Sequence, residues 1–220
     1  MPNIDLILGA DPSRRRSVRT EPTQRRSSQR LDALLDAAAE IVDESGFERL
    51  TTQMVAERAG ASIGTVYRYF PDRVAVLYAL RERSVRRYRE RVADDMEGIE
   101  LESWWTVVET ALEACATMYR DEPGFTVVHA AQRELAEDDI EPEFAHRMAR
   151  LIEAEFGDES DRAELRFRLG VGMEIGDALI SRAFERSPEG DERYLAEAKR
   201  LVHDYLAEHL GSVLAEVDAA

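Results

Sequence analysis

The chain has one cysteine, Cys115, and one lysine, Lys199, among 220 residues. A single thiol cannot close an internal disulfide, so buried apolar surface must hold the fold, and a reducing cytoplasm is the expected location. No apolar run approaches the roughly 18 residues of a membrane span, so no membrane-spanning helix is expected. The opening MPNIDLILGA has an apolar patch but lacks the positive n-region and long h-region of a secretion signal. Strand-like alternation persists nowhere. A Gly-x-Ser-x-Gly elbow, a P-loop and a Rossmann glycine pattern are all missing, so no common catalytic framework is legible and the chain reads as a non-enzyme. Acid pairs such as Asp94/Asp95 and Asp138/Asp139 read as solvated helix ends and loops. His129, His146, His203 and His209 have no metal-ligand spacing, and neither a metal nor a cofactor is expected.

What is present is an ordinary apolar fraction of 44 % and an Ala-, Leu-, Glu- and Arg-rich composition that leans helical. Net charge is −16, which taken alone argues against nucleic acid. Its distribution reverses that argument. Residues 1–91 carry 17 Arg against 13 acidic residues, a net of +4; the remainder carries 12 basic against 32 acidic, a net of −20. A basic front joined to an acidic back points to nucleic acid at one end, with the acidic half repelled by phosphate.

Residues 11–30 hold seven Arg, two Pro and four Ser and almost nothing apolar. Such a stretch cannot bury enough surface to offset its ordering. Residues 1–29 are therefore expected to be a disordered basic arm, either a solubilising tail or a grip on phosphates and a minor groove. From Leu31 the spacing of Leu34, Leu35, Ala38, Ile41 and Val42 predicts a helix ended by Gly46. Thr51 or Thr52 then caps a short helix ended by Gly60. Ser62 caps a third, stopped at Pro71, and Asp72 a fourth running to about Met96, with Val74, Leu77, Tyr78, Leu80, Val85 and Tyr88 expected toward the core. The second and third helices, joined by AGAS, make a helix-turn-helix in a domain over residues 30–80. Further helices are expected near 101–121, 124–136, 142–156, 161–186 and 191–215, separated by punctuation such as DEPG and SPEGD. The fold class is all-α.

The stretch SIGTVYRYFPDR raises the functional question. On a helix Val66 and Phe70 share one side and turn inward. Thr65, Arg68 and Tyr69 then point elsewhere, with Tyr67 at the boundary. Hydroxyls and a guanidinium suit phosphates, a Thr methyl suits a thymine methyl, and Gly64 lets a backbone approach a groove wall. The alternative is a plain helical hairpin with an aromatic stripe in its core; the turn, the caps and the basic arm occurring together argue against it.

GFERLTTQMVAERAGASIGTVYRYFPDRVAVLYAL, Gly46 to Leu80, resembles the DNA-binding domain of TetR-family transcriptional regulators, most specifically in its Gly-Thr-x-Tyr-x-Tyr-Phe core. The resemblance covers roughly residues 30–80. It implies a homodimer that usually represses and binds a pseudo-palindromic double-stranded operator. Carried over by position, the DNA-facing residues are Thr52, Gln53, Ser62, Ile63, Gly64, Thr65, Tyr67, Arg68, Tyr69 and Arg73. Two positions depart from the family pattern. Ile63 stands where a polar or basic reader is frequent, and periodicity alone would bury it. Arg73 replaces a common lysine and can grip phosphate bidentately.

By the same resemblance, residues 97–220 form a ligand-binding and dimerisation domain. Gly172 and Gly176, four apart on one helix, make a strip where another backbone could approach; with Leu201 and Tyr205 they are expected at the dimer contact. Trp104, Trp105, Met118, Tyr119, Phe125, His129, Phe144, Met148, Phe156, Phe167 and Met173 are candidates to line a largely apolar effector cavity; each taken singly also suits core packing. Three readings stand at this point: a repressor released by a small, largely apolar effector, an architectural or partner-recruiting DNA binder without one, and a helical enzyme with a vestigial reader.

Overall fold

The structure is a computed structural model that describes residues 3–8, 22–135, 143–156 and 162–214. Among them run ten α-helices and no strand: α1 (Asp5–Leu8), α2 (Pro22–Ser45), α3 (Thr52–Arg58), α4 (Ile63–Tyr69), α5 (Arg73–Met96), α6 (Trp104–Asp121), α7 (Phe125–Leu135), α8 (Glu143–Phe156), α9 (Arg162–Arg186) and α10 (Glu192–Leu214), with a 3-10 turn at Phe47–Arg49. Helix starts follow local chemistry. The Thr51 hydroxyl accepts from Met54 N–H, Ser62 from Thr65 N–H at 3.2 Å, and the Asp72 carboxylate from Ala75 N–H at 2.8 Å. Each satisfies an otherwise orphaned donor of a first turn.

The chain divides into two compact units. One comprises Asp11–Arg87 and Asp121–Glu137; the other comprises Met1–Ala10, Tyr88–Arg120 and Asp138–Ala220. Helix α5 is shared between them, with its break at Arg87–Tyr88. The division differs from a simple N-terminal and C-terminal split in two ways, since α7 joins the first unit and the first ten residues join the second.

In the first unit, Leu34, Leu35, Ala38, Ile41 and Val42 of α2 close over Val55 of α3, Val66 of α4, and Val76, Leu77 and Leu80 of α5. Helices α3 and α4 are seven residues each, too short to persist alone in water, so this core holds them. Val128 of α7 belongs to the same core. Gly124 lets α7 dock. Its φ is +74°, and a Cβ there would lie 2.8 Å from the Ala39 carbonyl oxygen. Its N–H donates to Asp43 at 2.9 Å. Nearby, the Arg83 guanidinium is only 4 % exposed and pairs with Asp36 at 2.7 Å, while Arg87 reaches both Asp36 and Glu122. Burial, then the adjacent Arg87 charge, draws the Arg83 pKa below the usual guanidinium range, against the pull of the two carboxylates.

Two expectations are corrected here. Helix α2 begins at Pro22 rather than Leu31, so residues 22–29 are helical; Pro in a first turn lacks only a donor that would be orphaned anyway. Residues 9–21 of the expected arm lie outside the described residues. Val74 and Tyr78, expected inward, face solvent, because α5 turns Val76, Leu77 and Leu80 to the core instead.

In the second unit α9 and α10 pack along one another. A Cβ on Gly172 would lie 3.4 Å from the Leu206 side chain, and one on Gly176 2.5 Å from Leu112 Cδ2. The apolar patch at the N-terminus is also used. Ile7 is fully buried where α1 packs on α8, and Asn3 N–H donates to Glu155 at 2.8 Å. Within the unit Tyr88 O–H donates to the Ala111 carbonyl at 3.0 Å, its ring 4.8 Å from that of Phe144. Burial raises the Tyr88 phenol and the Cys115 thiol well above their ordinary ranges.

Candidate nucleic-acid interface and sensor residues

The solvent face of α4 gathers most of the predicted DNA-facing residues. Val66 is fully buried and Phe70 nearly so, which turns Tyr67 and Arg68 outward; Tyr67 is 55 % exposed. Ile63 is 36 % exposed and lies on the outward side, not with Val66. Ser62 Oγ and Thr65 Oγ1 sit 2.9 Å apart at the helix start. Gly64 is open, for a Cβ there would have no neighbour nearer than Ser62 Oγ at 4.0 Å.

The other predicted residues are engaged within the protein. The Tyr69 ring packs on the core and its hydroxyl meets Ser27 Oγ at 3.0 Å, which ties the recognition helix to the first turns of α2. Arg73 donates to the Glu48 carbonyl at 3.0 Å and lies over the Phe47 ring. On α3, Thr52 is half-buried, and Gln53 is exposed with its amide donating to Glu57 at 2.7 Å. Arg58 is tied to Glu40 and Glu44 of α2, and those carboxylates raise its pKa. Nothing in the local pattern foretold the Tyr69–Ser27 bond, since its partners are 42 residues apart.

The cavity candidates scatter. Phe125 and His129, stacked 5.5 Å apart, belong to the helix-turn-helix unit. Met118, Tyr119 and Met148 are buried in the second unit's core, Tyr119 stacked on Phe184 at 4.8 Å. Trp104 and Trp105 are half-buried and both pack on His203, at 5.9 and 4.9 Å. Phe144, Phe156 and Met173 are also half-buried. Phe167 is 54 % exposed beneath the Arg168 guanidinium, so it faces solvent rather than an enclosed cavity. Of the four dimer candidates, Gly172 and Gly176 are buried inside the unit against Leu206, Leu112 and Val202, so within one chain their missing side chains make room for these neighbours. Leu201 is exposed, and the Tyr205 hydroxyl accepts from Arg168 at 3.2 Å.

Comparison with known proteins joins these features. A model of bacterial regulatory proteins of the tetR family matches residues 34–80, and a model of the tetracyclin repressor-like C-terminal domain matches residues 102–210. A solved TetR-family transcriptional regulator from Streptomyces coelicolor is 33 % identical, covering 83 % of this chain and 98 % of that one with a TM-score of 0.71. The HTH-type transcriptional repressor KstR of Rhodococcus jostii is 36 % identical over 63 residues, 29 % of this chain and 30 % of that protein. The HTH-type transcriptional repressor DrrR1 of Streptomyces coeruleorubidus is 30 % identical over 127 residues, 58 % and 43 % of the two chains. The match thus spans less than half the length of these two curated relatives. Near-complete coverage of the Streptomyces coelicolor structure, with both domain models in order along the sequence, shows that the chain belongs to the TetR family of transcriptional regulators.

Proposed function

We propose that the protein is a DNA-binding transcriptional repressor that docks α4 in the major groove of an operator and is released by a small, largely apolar effector. Gly64 is the observation that carries this reading. Glycine near the start of a helix costs stability, yet no neighbour within the chain fills the space a side chain would take. The fold therefore has no need of glycine there, whereas a groove wall pressed against the helix does. Around it Tyr67 and Arg68 reach phosphates, Ser62 and Thr65 offer hydroxyls, and Ile63 offers an apolar surface for a thymine methyl. Seven residues are enough, since the groove is about 12 Å wide.

Exposed Phe167 on α9 and Leu201 on α10, with Tyr205 beside them, support pairing of two chains through these helices. A two-fold dimer then presents its recognition helices to half-sites about 34–36 Å apart. An effector that prefers another spacing lowers DNA affinity by its differential affinity for the two arrangements. Helix α5, shared by both units, carries that change along the chain. No helix of the described residues is long and apolar enough to cross a membrane.

The test is fluorescence anisotropy of the purified protein on DNA flanking its own gene, repeated across salt concentrations. Tight binding to one palindromic segment, with a steep salt slope, supports the proposal. Equal, weak binding to that DNA and to random DNA, with no genomic segment enriched in a protein pull-down of sheared DNA, overturns it.

A further inference from the structure

Along one flank of the second unit, α6, α9 and α10 leave a groove of about 270 Å³. Its floor is apolar: Leu112 and Ala116 from α6, Ile180 from α9, Leu195 and Ala198 from α10. Its rim carries Glu113, Arg120, Glu192 and Lys199, charges of both signs. None of the aromatic or soft residues marked from the sequence lines it.

The four charges are not equivalent. Lys199 is committed, with its ammonium 2.5 Å from Glu113 and 3.2 Å from Glu109. Arg120 donates its Nε to the Glu189 carbonyl at 3.1 Å and lies over the Phe184 ring, but has no carboxylate partner among the described residues. Glu192 stands exposed in the first turn of α10, its carboxylate with no hydrogen bond or ion pair among the described residues. Several neighbouring charges on the same helices find partners, Arg182 with Glu185, Arg193 with Asp191, and Arg200 with Glu197 and Asp204, while Glu174 and Glu208, away from the groove, have none among the described residues. An unpaired cation and an unpaired anion therefore border one apolar floor. A singly charged ligand would satisfy only one of them. A zwitterion with an apolar side chain satisfies both and covers the floor. A groove of this volume has room for a small ligand such as a free aliphatic amino acid.

We propose that this groove is a binding site for an α-amino acid with an apolar side chain. Its carboxylate meets the free N–H groups of Arg120, its ammonium meets Glu192, and its side chain lies over Leu112, Ile180 and Leu195. The contacts to charge are of the stronger, charge-assisted kind. The site lies wholly within one unit and does not depend on how DNA is read.

The experiment is isothermal titration of the full chain with L-leucine, N-acetyl-L-leucine, which lacks the ammonium, and L-leucinamide, which lacks the carboxylate. It is repeated on Glu192→Gln and on Thr117→Phe, at a residue of α6 that also lines the groove, so that the larger ring fills it; far-ultraviolet circular dichroism checks that both variants fold. Leucine is expected to bind saturably, and each capped analogue about tenfold more weakly. Glu192→Gln should weaken leucine about tenfold while leaving N-acetyl-leucine unchanged, and Thr117→Phe should abolish binding. Absence of saturable leucine binding up to about 10 mM overturns the proposal. So does binding that neither variant changes, which would place the ligand elsewhere.

Discussion

Replacing Gly64 by alanine separates the needs of the fold from the needs of DNA. Gly64 is the second residue of α4, behind the Ser62 cap, and its backbone is helical. A methyl group there meets no atom nearer than the Ser62 hydroxyl at 4.0 Å, which is ordinary van der Waals contact. The folded state therefore admits alanine without strain, and the unfolded chain loses freedom. The expected result is a gain of about 0.5–1 kcal/mol, which for a chain of this size raises the melting temperature by about 1–4 °C. Operator affinity should move the other way. A methyl group between the helix backbone and the groove wall pushes α4 outward, lengthening several phosphate contacts at once, and a loss of about tenfold or more is expected. Differential scanning fluorimetry reads the first quantity and anisotropy on operator DNA the second. An alanine variant that is more stable and binds DNA as tightly as the parent refutes the placement of this helix face against the groove. A variant that melts lower refutes the claim that the fold leaves this position open.

A second glycine gives the opposite result: Gly124→Ala combines a left-handed φ with a Cβ 2.8 Å from the Ala39 carbonyl, and should cost about 2–4 kcal/mol in urea unfolding. Gly60→Ala, with φ +61° and open space, should cost only about 1 kcal/mol by the same measurement. Tyr67→Phe should weaken operator binding by about 1 kcal/mol, whereas Tyr69→Phe, whose hydroxyl is held by Ser27, should leave operator affinity nearer the parent and loosen the start of α2 in hydrogen exchange. Ile7→Asp should release the N-terminal segment, seen as faster amide exchange across 143–156 with exchange across 52–69 unchanged. Hydrogen bonding from Arg193, then Arg186, holds the Asp191 carboxyl well below the usual carboxylate range. A depressed folded pKa contributes stability above the unfolded value near 4, lost as pH falls through the folded one. Asp191→Asn should therefore flatten the fall in melting temperature between about pH 5 and pH 2.

The helix-turn-helix was legible because its signals are local. Thr51, Ser62 and Asp72 act on donors three residues away, Gly46 and Gly60 end their helices by positive φ, and the 3.6-residue period of α2 marks one inward face. What was misread required knowing the neighbour. The sequence by itself determined that the chain is all-helical, where its reader helices start and stop, and that Arg68 points away from Val66 with Tyr67 at the boundary, because these follow from contacts within a turn or two. Only the tertiary structure decided that Gly172 and Gly176 face Leu206 and Leu112 of the same chain, that Val74, Tyr78 and Phe167 are exposed on it, that Tyr69 is tied to Ser27, that α7 shares the core of the reader, and that Ile7 docks on α8. Periodicity shows that a helix has a face to bury, but the partner that buries it stands tens of residues away and is chosen by packing, which no spacing along one helix records.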